Sequence, residues 1–268
     1  MASARSLLLT VLGELVLPYD DPIWTGAFLD VLGALGVEPK TTRQAVARIA
    51  DDGWLEPSRD GRRTAWRLTP AGRELLTTGA ARIYSHASGE SSWDGSWLLV
   101  VAHLPERDRR ARHRLQTRLA WNGLGRLASD VWVGAHIERQ PALRAALEEA
   151  GVAEAVTIFA SRIGELGDAT HIAQEAWDLD DVVQRYEEFI DAARLLNPRT
   201  DEQALLALVR LVQDWRRFPF LDPDLPRELL PTNWRGHEAA SLFAERRSRW
   251  LPKAETEWQR LRNAKLTA

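Results

Sequence analysis

The sequence contains no cysteine, which excludes disulfide bridges, thiol nucleophiles and thiolate metal sites together. It has no apolar run close to the ~20 residues that a membrane-spanning helix requires. Its six histidines are scattered along the chain, and no serine nucleophile motif accompanies them. We therefore expect a cytoplasmic protein without membrane contact, and with no catalytic residue, no metal site and no cofactor.

An overall excess of positive charge is also lacking, because the 268 residues carry a formal net charge of -3. Any nucleic-acid surface must then be local. Between Lys40 and Arg73 the sequence has eight lysines and arginines against four acidic residues, a local charge of +4. We expect the partner of this basic segment to be double-stranded DNA.

The residues around the basic segment have the periodicity of three short helices. The first helix is predicted over 3–17, and the second begins after Pro22. The third is predicted to begin with Thr41 or Thr42 as its N-cap and to run through Asp52.

A β-hairpin is predicted directly after the third helix. Two short strands surround Asp60 and Gly61, and both residue types tolerate the positive φ of a tight turn. A fourth helix is predicted to open at Pro70. Three helices followed by a hairpin are the element order of a winged helix-turn-helix.

The third predicted helix has two distinct faces. The inward face carries Thr42, Ala45, Val46 and Ile49, and the outward face carries Arg43, Gln44, Ala47 and Arg48. Arginine and glutamine match guanine and adenine edges in the major groove, and threonines at a helix start can contact phosphate. The predicted DNA-binding residues are Thr41, Thr42, Arg43, Gln44, Arg48, Arg59, Arg62 and Arg63. An alternative is a winged helix that contacts only protein, with the arginines as a solvated rim.

The rest of the chain separates into two further regions by pattern. Strand-like runs alternate with helices, one of them predicted from Glu106 to Trp121, and this indicates a ferredoxin-like α+β domain. From about Trp177 the pattern is helical, with a long closing helix over 238–262 that Pro252 interrupts. The predicted domains are a winged helix-turn-helix over 1-87, a ferredoxin-like central domain over 93-175 and a helical C-terminal domain over 176-268.

Four segments, taken together, resemble the PaaX family of transcriptional repressors. They are "DDGWLEPSRDGRRTAWRLTPAG", "WDGSWLLVV", "LAWNGLGRLASDVWVG" and "LDPDLPRELLPTNWRGHEA". The resemblance covers nearly the whole chain. It implies a homodimer that binds a palindromic operator, represses phenylacetate catabolism or a related pathway, and is released by an acyl-CoA effector such as phenylacetyl-CoA.

The central region also resembles small CRISPR-associated nucleases of ferredoxin-like fold, so a nucleic-acid-processing enzyme is the alternative function. Those nucleases place a metal-binding aspartate at the end of the first strand. This chain has His103 and Leu104 there, and Asp108 falls on the following helix. Because metal-assisted cleavage needs carboxylate ligands, we expect nuclease activity to be lost.

Two regions are candidates for contacting an acyl-CoA effector. An apolar acyl end suits the aromatic and basic residues near the C-terminus, and nucleotide phosphates suit the arginine-rich helix that follows Leu104. The predicted effector-binding residues are Trp215, Arg216, Arg217, Phe218, Trp234, Arg235, His237, Arg109, Arg110 and Arg114. The alternatives are a structural buckle near the C-terminus and a solvated charged helix face.

Overall fold

The computed structural model describes residues 2–19, 21–60, 63–86, 93–105 and 108–264. Over these residues it combines α-helices with two small antiparallel sheets, which confirms the predicted α+β class. The chain divides into two compact units. The first unit contains Met1–Ser85, Glu188–Arg217 and Glu238–Ala268, and the second contains His86–Glu187 and Phe218–His237.

The elements before residue 90 follow the predicted order of helices and hairpin. They are α1 Ala4–Val11, β1 Ile23–Trp24, α2 Thr25–Ala34, α3 Pro39–Asp51, β2 Leu55–Asp60, β3 Arg63–Leu68 and α4 Pro70–Ser85.

The elements after residue 90 begin with a mixed segment and end in long helices. They are β4 Ser96–Ala102, α5 Arg109–Trp121, β5 Gly125–Ala128, β6 Val131–Gly134, α6 Gln140–Glu149, β7 Val156–Arg162, α7 Ala169–Ala176, α8 Leu179–Leu195, α9 Asp201–Trp215, α10 Phe218–Leu221 and α11 Gly236–Ala264. No described helix has the length and apolar character needed to cross a membrane.

The first unit joins the N-terminal helices to the closing helices around one core. Leu8 of α1, Phe28 of α2 and Ile49 of α3 are fully buried. Trp258 of α11 is fully buried too, and its ring lies 6.2 Å from the ring of Phe28. The helices that carry the basic segment are thus held by apolar packing that includes the C-terminal part of the chain.

Two helices in the first unit differ from their predicted forms. The first is regular only to Val11 and continues as a π-helical stretch over Leu12–Val16, where the Leu17 N–H donates to the Leu12 carbonyl at 2.8 Å. The closing helix passes through Pro252 without interruption. Trp250 and Ala254 are buried on either side of that proline, so packing offsets the ~3 kcal/mol that proline costs inside a helix.

The second unit contains a four-stranded sheet in the order β5-β6-β4-β7, with every neighbouring pair antiparallel. In chain order its elements alternate as β-α-β-β-α-β. The sequence did not predict β5 or α7. The four-residue β5 lies at one edge of the sheet, where Gly125 and few buried residues give no apolar alternation.

Both faces of this sheet are covered. Leu98 and Val100 of β4 pack with Leu115 and Leu119 of α5 and with the apolar residues of α6. The opposite face carries Trp97 and Val133, which pack with α7 and with residues of the segment 225–234. The predicted domain boundaries at 1-87, 93-175 and 176-268 stay a prediction.

Candidate nucleic-acid interface and effector surface

Helix α3 has the two faces that its sequence predicts. Ala45, Val46 and Ile49 are buried, whereas Arg43, Gln44, Ala47 and Arg48 are exposed. Within the described part of the chain, the side chains of Arg43, Gln44 and Arg48 make no ion pair or hydrogen bond. Their donors and acceptors are therefore available to an external partner.

The start of α3 differs from the prediction. The helix begins at Pro39 after the extended residue Glu38, because proline suits the first helical position. The Thr42 N–H donates to the Glu38 carbonyl at 3.0 Å, and the Thr42 side chain is fully buried. The prediction that Thr42 contacts phosphate is therefore wrong, while Thr41 is exposed at the same helix start as Lys40.

Helix α3 is fixed at its C-terminal end. The Gly53 N–H donates to the Ala50 carbonyl at 2.8 Å with Gly53 at a φ of 78°, which ends the helix where the sequence predicted. Arg5 of α1 forms a 2.6 Å ion pair with Asp52 and lies 5.1 Å over the ring of Trp54. These contacts join the C-terminal end of α3 to α1.

The hairpin after α3 pairs β2 with β3 in register from Leu55 opposite Leu68 to Asp60 opposite Arg63. Arg59 lies opposite Thr64, near the tip of the hairpin. Arg62 and the turn at Gly61 lie outside the described residues. The predicted hairpin is thus present, with Arg59 and Arg63 on its two strands.

The hairpin is attached to α2 by side-chain hydrogen bonds. Strand β3 also pairs with the short β1, which directly precedes α2. The Trp66 indole N–H donates to Thr25 Oγ1 at 2.9 Å, and the Thr25 hydroxyl donates to the Thr64 carbonyl at 3.1 Å. These bonds restrict movement of the hairpin relative to the helices beneath it.

Two of the predicted effector residues have structural contacts in the first unit. Trp215 is 1% exposed, stacks on Phe243 with ring centroids 4.7 Å apart, and donates its indole N–H to the Ile83 carbonyl. Arg216 donates to the Ser6 carbonyl and to Thr10 Oγ1, both at 3.2 Å. Burial lowers the pKa of Arg216.

In the second unit the structure brings Phe218 and Trp234 together around Tyr186. The rings of Tyr186 and Phe218 are stacked, with centroids 4.1 Å apart and an angle of 5° between their planes. Trp234 meets Tyr186 edge-on at 5.5 Å. Phe218 and Tyr186 are buried, and Trp234 is half-buried. This aromatic cluster is the part of the predicted effector surface that the fold assembles.

A buried carboxylate holds the polar end of Tyr186. The tyrosine hydroxyl donates to Asp222 Oδ2 at 2.5 Å, and His86 Nε2 lies 3.3 Å from the same oxygen. The Asp224 N–H donates to the other oxygen, Oδ1, at 2.7 Å. Burial, together with the charge of Asp222, raises the pKa of Tyr186 far above its usual range. Tyr186 is therefore a neutral hydrogen-bond donor at ordinary pH.

Two of the sequence segments that carry the family resemblance meet beside this cluster. Asp224 has the left-handed φ of 58°, and its carboxylate pairs with Arg139. His136 Nε2 lies 2.5 Å from the Asp224 carbonyl oxygen. A Cβ at Gly123 would lie 3.3 Å from the Pro223 carbonyl, so glycine permits this close approach.

Helix α5 presents several arginines to solvent. Arg109, Arg110 and Arg114 are exposed, and Arg114 Nε donates to the Ala150 carbonyl at 3.2 Å. Arg112 is instead tied to Asp130 at 3.0 Å. The other three predicted effector residues lie outside α5. Arg217 and His237 are exposed, and Arg235 is half-buried.

Among the described residues, β4 and the three positions that follow it, His103, Leu104 and Pro105, carry no acidic group. His103 lies 3.2 Å from Thr157 Oγ1, and Asp108 Oδ1 accepts the Ala111 N–H as the N-cap of α5. Among the described residues, no three His, Asp or Glu side chains lie close enough together to hold a metal ion.

Tyr186, Asp222 and His86 form one cluster that the sequence did not predict. Asp222 is 36 residues and His86 is 100 residues from Tyr186 along the chain, although both contact its hydroxyl. No local sequence pattern therefore connects the three residues. Trp121 was also missed as a surface residue, although its ring contacts Phe220. The spacing of Trp121 from Arg114 and Arg118 on one helix was the only available signal.

Comparison with known proteins places all three regions of the chain in one family. Residues 3–72 match the family model for PaaX-like protein, residues 90–173 match the PaaX protein central Cas2-like domain, and residues 177–260 match the PaaX-like protein C-terminal domain. The transcriptional repressor PaaX of Escherichia coli is 32% identical over 263 residues, covering 94% of this chain and 82% of that protein.

A solved structure shares the fold. The uncharacterized protein Rv0674 from Mycobacterium tuberculosis superposes with a TM-score of 0.66 over 96% of this chain and 99% of that one, at 19% identity. The matched models and the identity to the Escherichia coli protein show that this chain belongs to the PaaX family.

Proposed function

We propose that this chain is a DNA-binding transcriptional repressor. The observation that carries the proposal is the exposed face of α3 with Arg43, Gln44 and Arg48, in a chain of the PaaX family. The Escherichia coli relative is named a transcriptional repressor, which supports the same role here. In this proposal the chain represses an operon of aromatic or organic acid catabolism.

The proposed interface divides its contacts between α3 and the hairpin. Arg43 and Gln44 read base edges in the major groove. Arg48 lies on the same exposed face of α3 and contacts the DNA beside them. The exposed Lys40 and Thr41 lie at the start of a 13-residue helix, where free N–H groups favour phosphate. Arg59, Arg62 and Arg63 add phosphate or minor-groove contacts.

We assign the elements to three domain types on this basis. The helices, β1 and hairpin within 1-87 form a winged helix-turn-helix. The β-α-β-β-α-β order within 93-175, with sheet order β5-β6-β4-β7, supports a ferredoxin-like domain. The helices within 176-268 form the C-terminal helical domain.

A homodimer is the proposed assembly, because a palindromic operator requires two recognition helices. The open edge of β7 supports this. The His103 N–H donates to the Ala155 carbonyl, continuing the β4–β7 register, so Val156, Ile158, Ala160 and Arg162 direct their backbone groups away from β4. In the described sheet β7 pairs with β4 alone and has no proline or lysine to block its free edge. We propose that two copies pair antiparallel along this edge.

The proposed effector is an acyl-CoA such as phenylacetyl-CoA. Its acyl end would contact the Phe218 and Trp234 cluster, with Arg217, Arg235 and His237 in the neighbouring chain segment. Its nucleotide end would contact Arg109, Arg110 and Arg114 of α5. We leave Trp215 and Arg216 out of this surface, because both are committed to contacts inside the first unit.

The test is selection of duplex DNA from a random pool, followed by fluorescence anisotropy on the selected sequence. We expect a palindromic site, two chains bound per duplex, and release by phenylacetyl-CoA but not by phenylacetate or CoA alone at equal concentration. Light scattering should give the mass of two chains without DNA. Binding of random and selected DNA with equal affinity would contradict the repressor proposal. Retention of DNA in saturating phenylacetyl-CoA would contradict only the effector.

A further inference from the structure

One surface of the second unit exposes two large aromatic side chains that contact each other. Trp121 is 49% exposed, and it alone of the twelve tryptophans, all of which are described, falls in the exposed class. Its ring lies 4.4 Å from the ring of Phe220, which is 45% exposed. Large exposed aromatic pairs are uncommon on surfaces without a partner.

The aromatic pair lies at the end of a line of arginines. Arg110, Arg114 and Trp121 are four and then seven residues apart, so they share one stripe of α5. Arg118 lies one turn before Trp121 at the border of this stripe. At 1.5 Å per residue, Arg114 lies roughly 10 Å and Arg110 roughly 16 Å from Trp121 along the helix axis. We call Arg110, Arg114, Arg118, Trp121 and Phe220 the α5 ledge.

Within the residues that the structure describes, the arginines of the ledge are only partly neutralised. Helix α5 carries five arginines and no acidic residue from Arg109 to Trp121. Arg118 has one acidic neighbour, Glu149, at 3.6 Å. Arg114 uses its Nε to hold the Ala150 carbonyl, which fixes the guanidinium and occupies one of its five N–H donors. Arginines repeated at four-residue spacing repel each other, so an anion bound here would relieve an unfavourable term.

An aromatic surface beside positioned guanidinium groups matches the chemistry of a nucleotide. A base stacks on an aromatic face whatever its hydrogen-bonding edge, and phosphates pair with arginine. Arg118 and Arg114 lie within roughly 10 Å of Trp121 along the helix axis, a separation that one nucleotide can span between its base and its phosphates. A longer single strand would need an aromatic residue for each further base. The positions before Trp121 on this face of α5 are Arg110, Arg114 and Thr117, which offer no ring for stacking.

We propose that the α5 ledge is a nucleotide site, with a purine base stacked on Trp121 and Phe220 and phosphates held by Arg118 and Arg114. This inference rests on the proposed function in one respect: the nucleotide end of CoA is the expected source of that purine and its phosphates. It adds base-stacking residues to the part of the effector surface proposed for the nucleotide end, which otherwise consists of Arg109, Arg110 and Arg114.

The test is isothermal titration calorimetry of the full chain with CoA and with adenosine 3′,5′-bisphosphate. Loss of one base stack should weaken both by about 5- to 100-fold in Trp121→Ala, with a smaller loss in Phe220→Ala. Arg114→Ala should weaken the bisphosphate more than it weakens adenosine, which lacks the phosphates and is titrated in the same way. Leu166→Ala and Arg144→Ala are the controls, since these exposed residues of the same unit lie off the ledge and should bind like the unchanged chain.

The possible outcomes separate the ledge from the effector proposal. If phenylacetyl-CoA releases DNA from Trp121→Ala as it does from the unchanged chain, and CoA affinity is also unchanged, the ledge is not the site while the function stands. No binding of either nucleotide to the unchanged chain also overturns the ledge. If Trp121→Ala weakens a thymidine dodecanucleotide but not CoA, the surface is for single-stranded nucleic acid and the proposal is wrong.

Discussion

On α3, Arg43, Gln44 and Arg48 are exposed and make no hydrogen bond or ion pair within the described chain. Around Asp222 the arrangement is the opposite, because a buried carboxylate accepts from the Tyr186 hydroxyl and the Asp224 N–H and lies against His86. We therefore expect the α3 surface to act through an external partner and the Asp222 cluster to act through the stability of the fold. The comparison predicts that substitutions in the two regions have opposite effects on binding and stability.

The largest stability effect is expected at Asp222. Asp222→Ala removes the buried carboxylate that accepts from the Tyr186 hydroxyl and from the Asp224 N–H, so the free energy of unfolding should fall by about 2–4 kcal/mol. Asp222→Asn keeps one carbonyl oxygen and should lose less. Urea unfolding followed by circular dichroism measures both. Arg43→Ala is the surface control and should stay within about 0.5 kcal/mol of the unchanged chain; an equal loss at Arg43 and Asp222 would refute the comparison.

A smaller effect is expected where α4 passes beneath the end of α3. A Cβ on Gly72 would lie 2.2 Å from the Trp54 carbonyl oxygen, so Gly72→Ala must displace the backbone there and should destabilise by about 1–3 kcal/mol. Because this shift would move the hairpin that begins at Leu55, DNA affinity should fall as well.

Gly79 in the same helix provides the matched control and the smallest effect. A Cβ there meets no atom within 4 Å, so Gly79→Ala should stabilise by about 0.5–1 kcal/mol through helix propensity alone. Thermal unfolding of the two variants side by side measures the difference. A loss of stability in Gly79→Ala as large as that in Gly72→Ala would show that the close contact at Trp54 is not the cause.

The exposed face of α3 was predictable because the spacing of residues within one short segment determines it. Thr42 and the apolar residues Ala45, Val46 and Ile49 define a buried stripe, which leaves Arg43, Gln44, Ala47 and Arg48 on the exposed face. The helix start was misjudged because Pro39 competes with the threonines for the first turn, and the outcome buried Thr42. The hairpin was predictable from its turn residues, since two neighbouring positions decide it.

The positions of the predicted effector residues were less predictable because their contacts are long-range. Trp215 and Phe218 are near neighbours in sequence and read as one aromatic surface, yet Trp215 stacks on Phe243 and Phe218 stacks on Tyr186. The short α10 begins directly at Phe218 and separates their environments. Similarly, Pro223 approaches Gly123 although the two residues are 100 positions apart in the sequence. The periodicity of apolar residues does not predict such contacts.

The most direct test of the central claim, that the exposed face of α3 reads DNA sequence, compares Arg43→Ala with Arg63→Ala on selected and random duplexes over a range of salt. Arg43→Ala should lose about 1–3 kcal/mol on selected DNA and relax one base position, while its affinity for random DNA changes little. Arg63→Ala should weaken both duplexes alike and reduce the salt slope by about one. Thr42→Val is the matched control and should bind like the unchanged chain, because that side chain is buried. Equal losses on selected and random DNA for Arg43→Ala would contradict the claim.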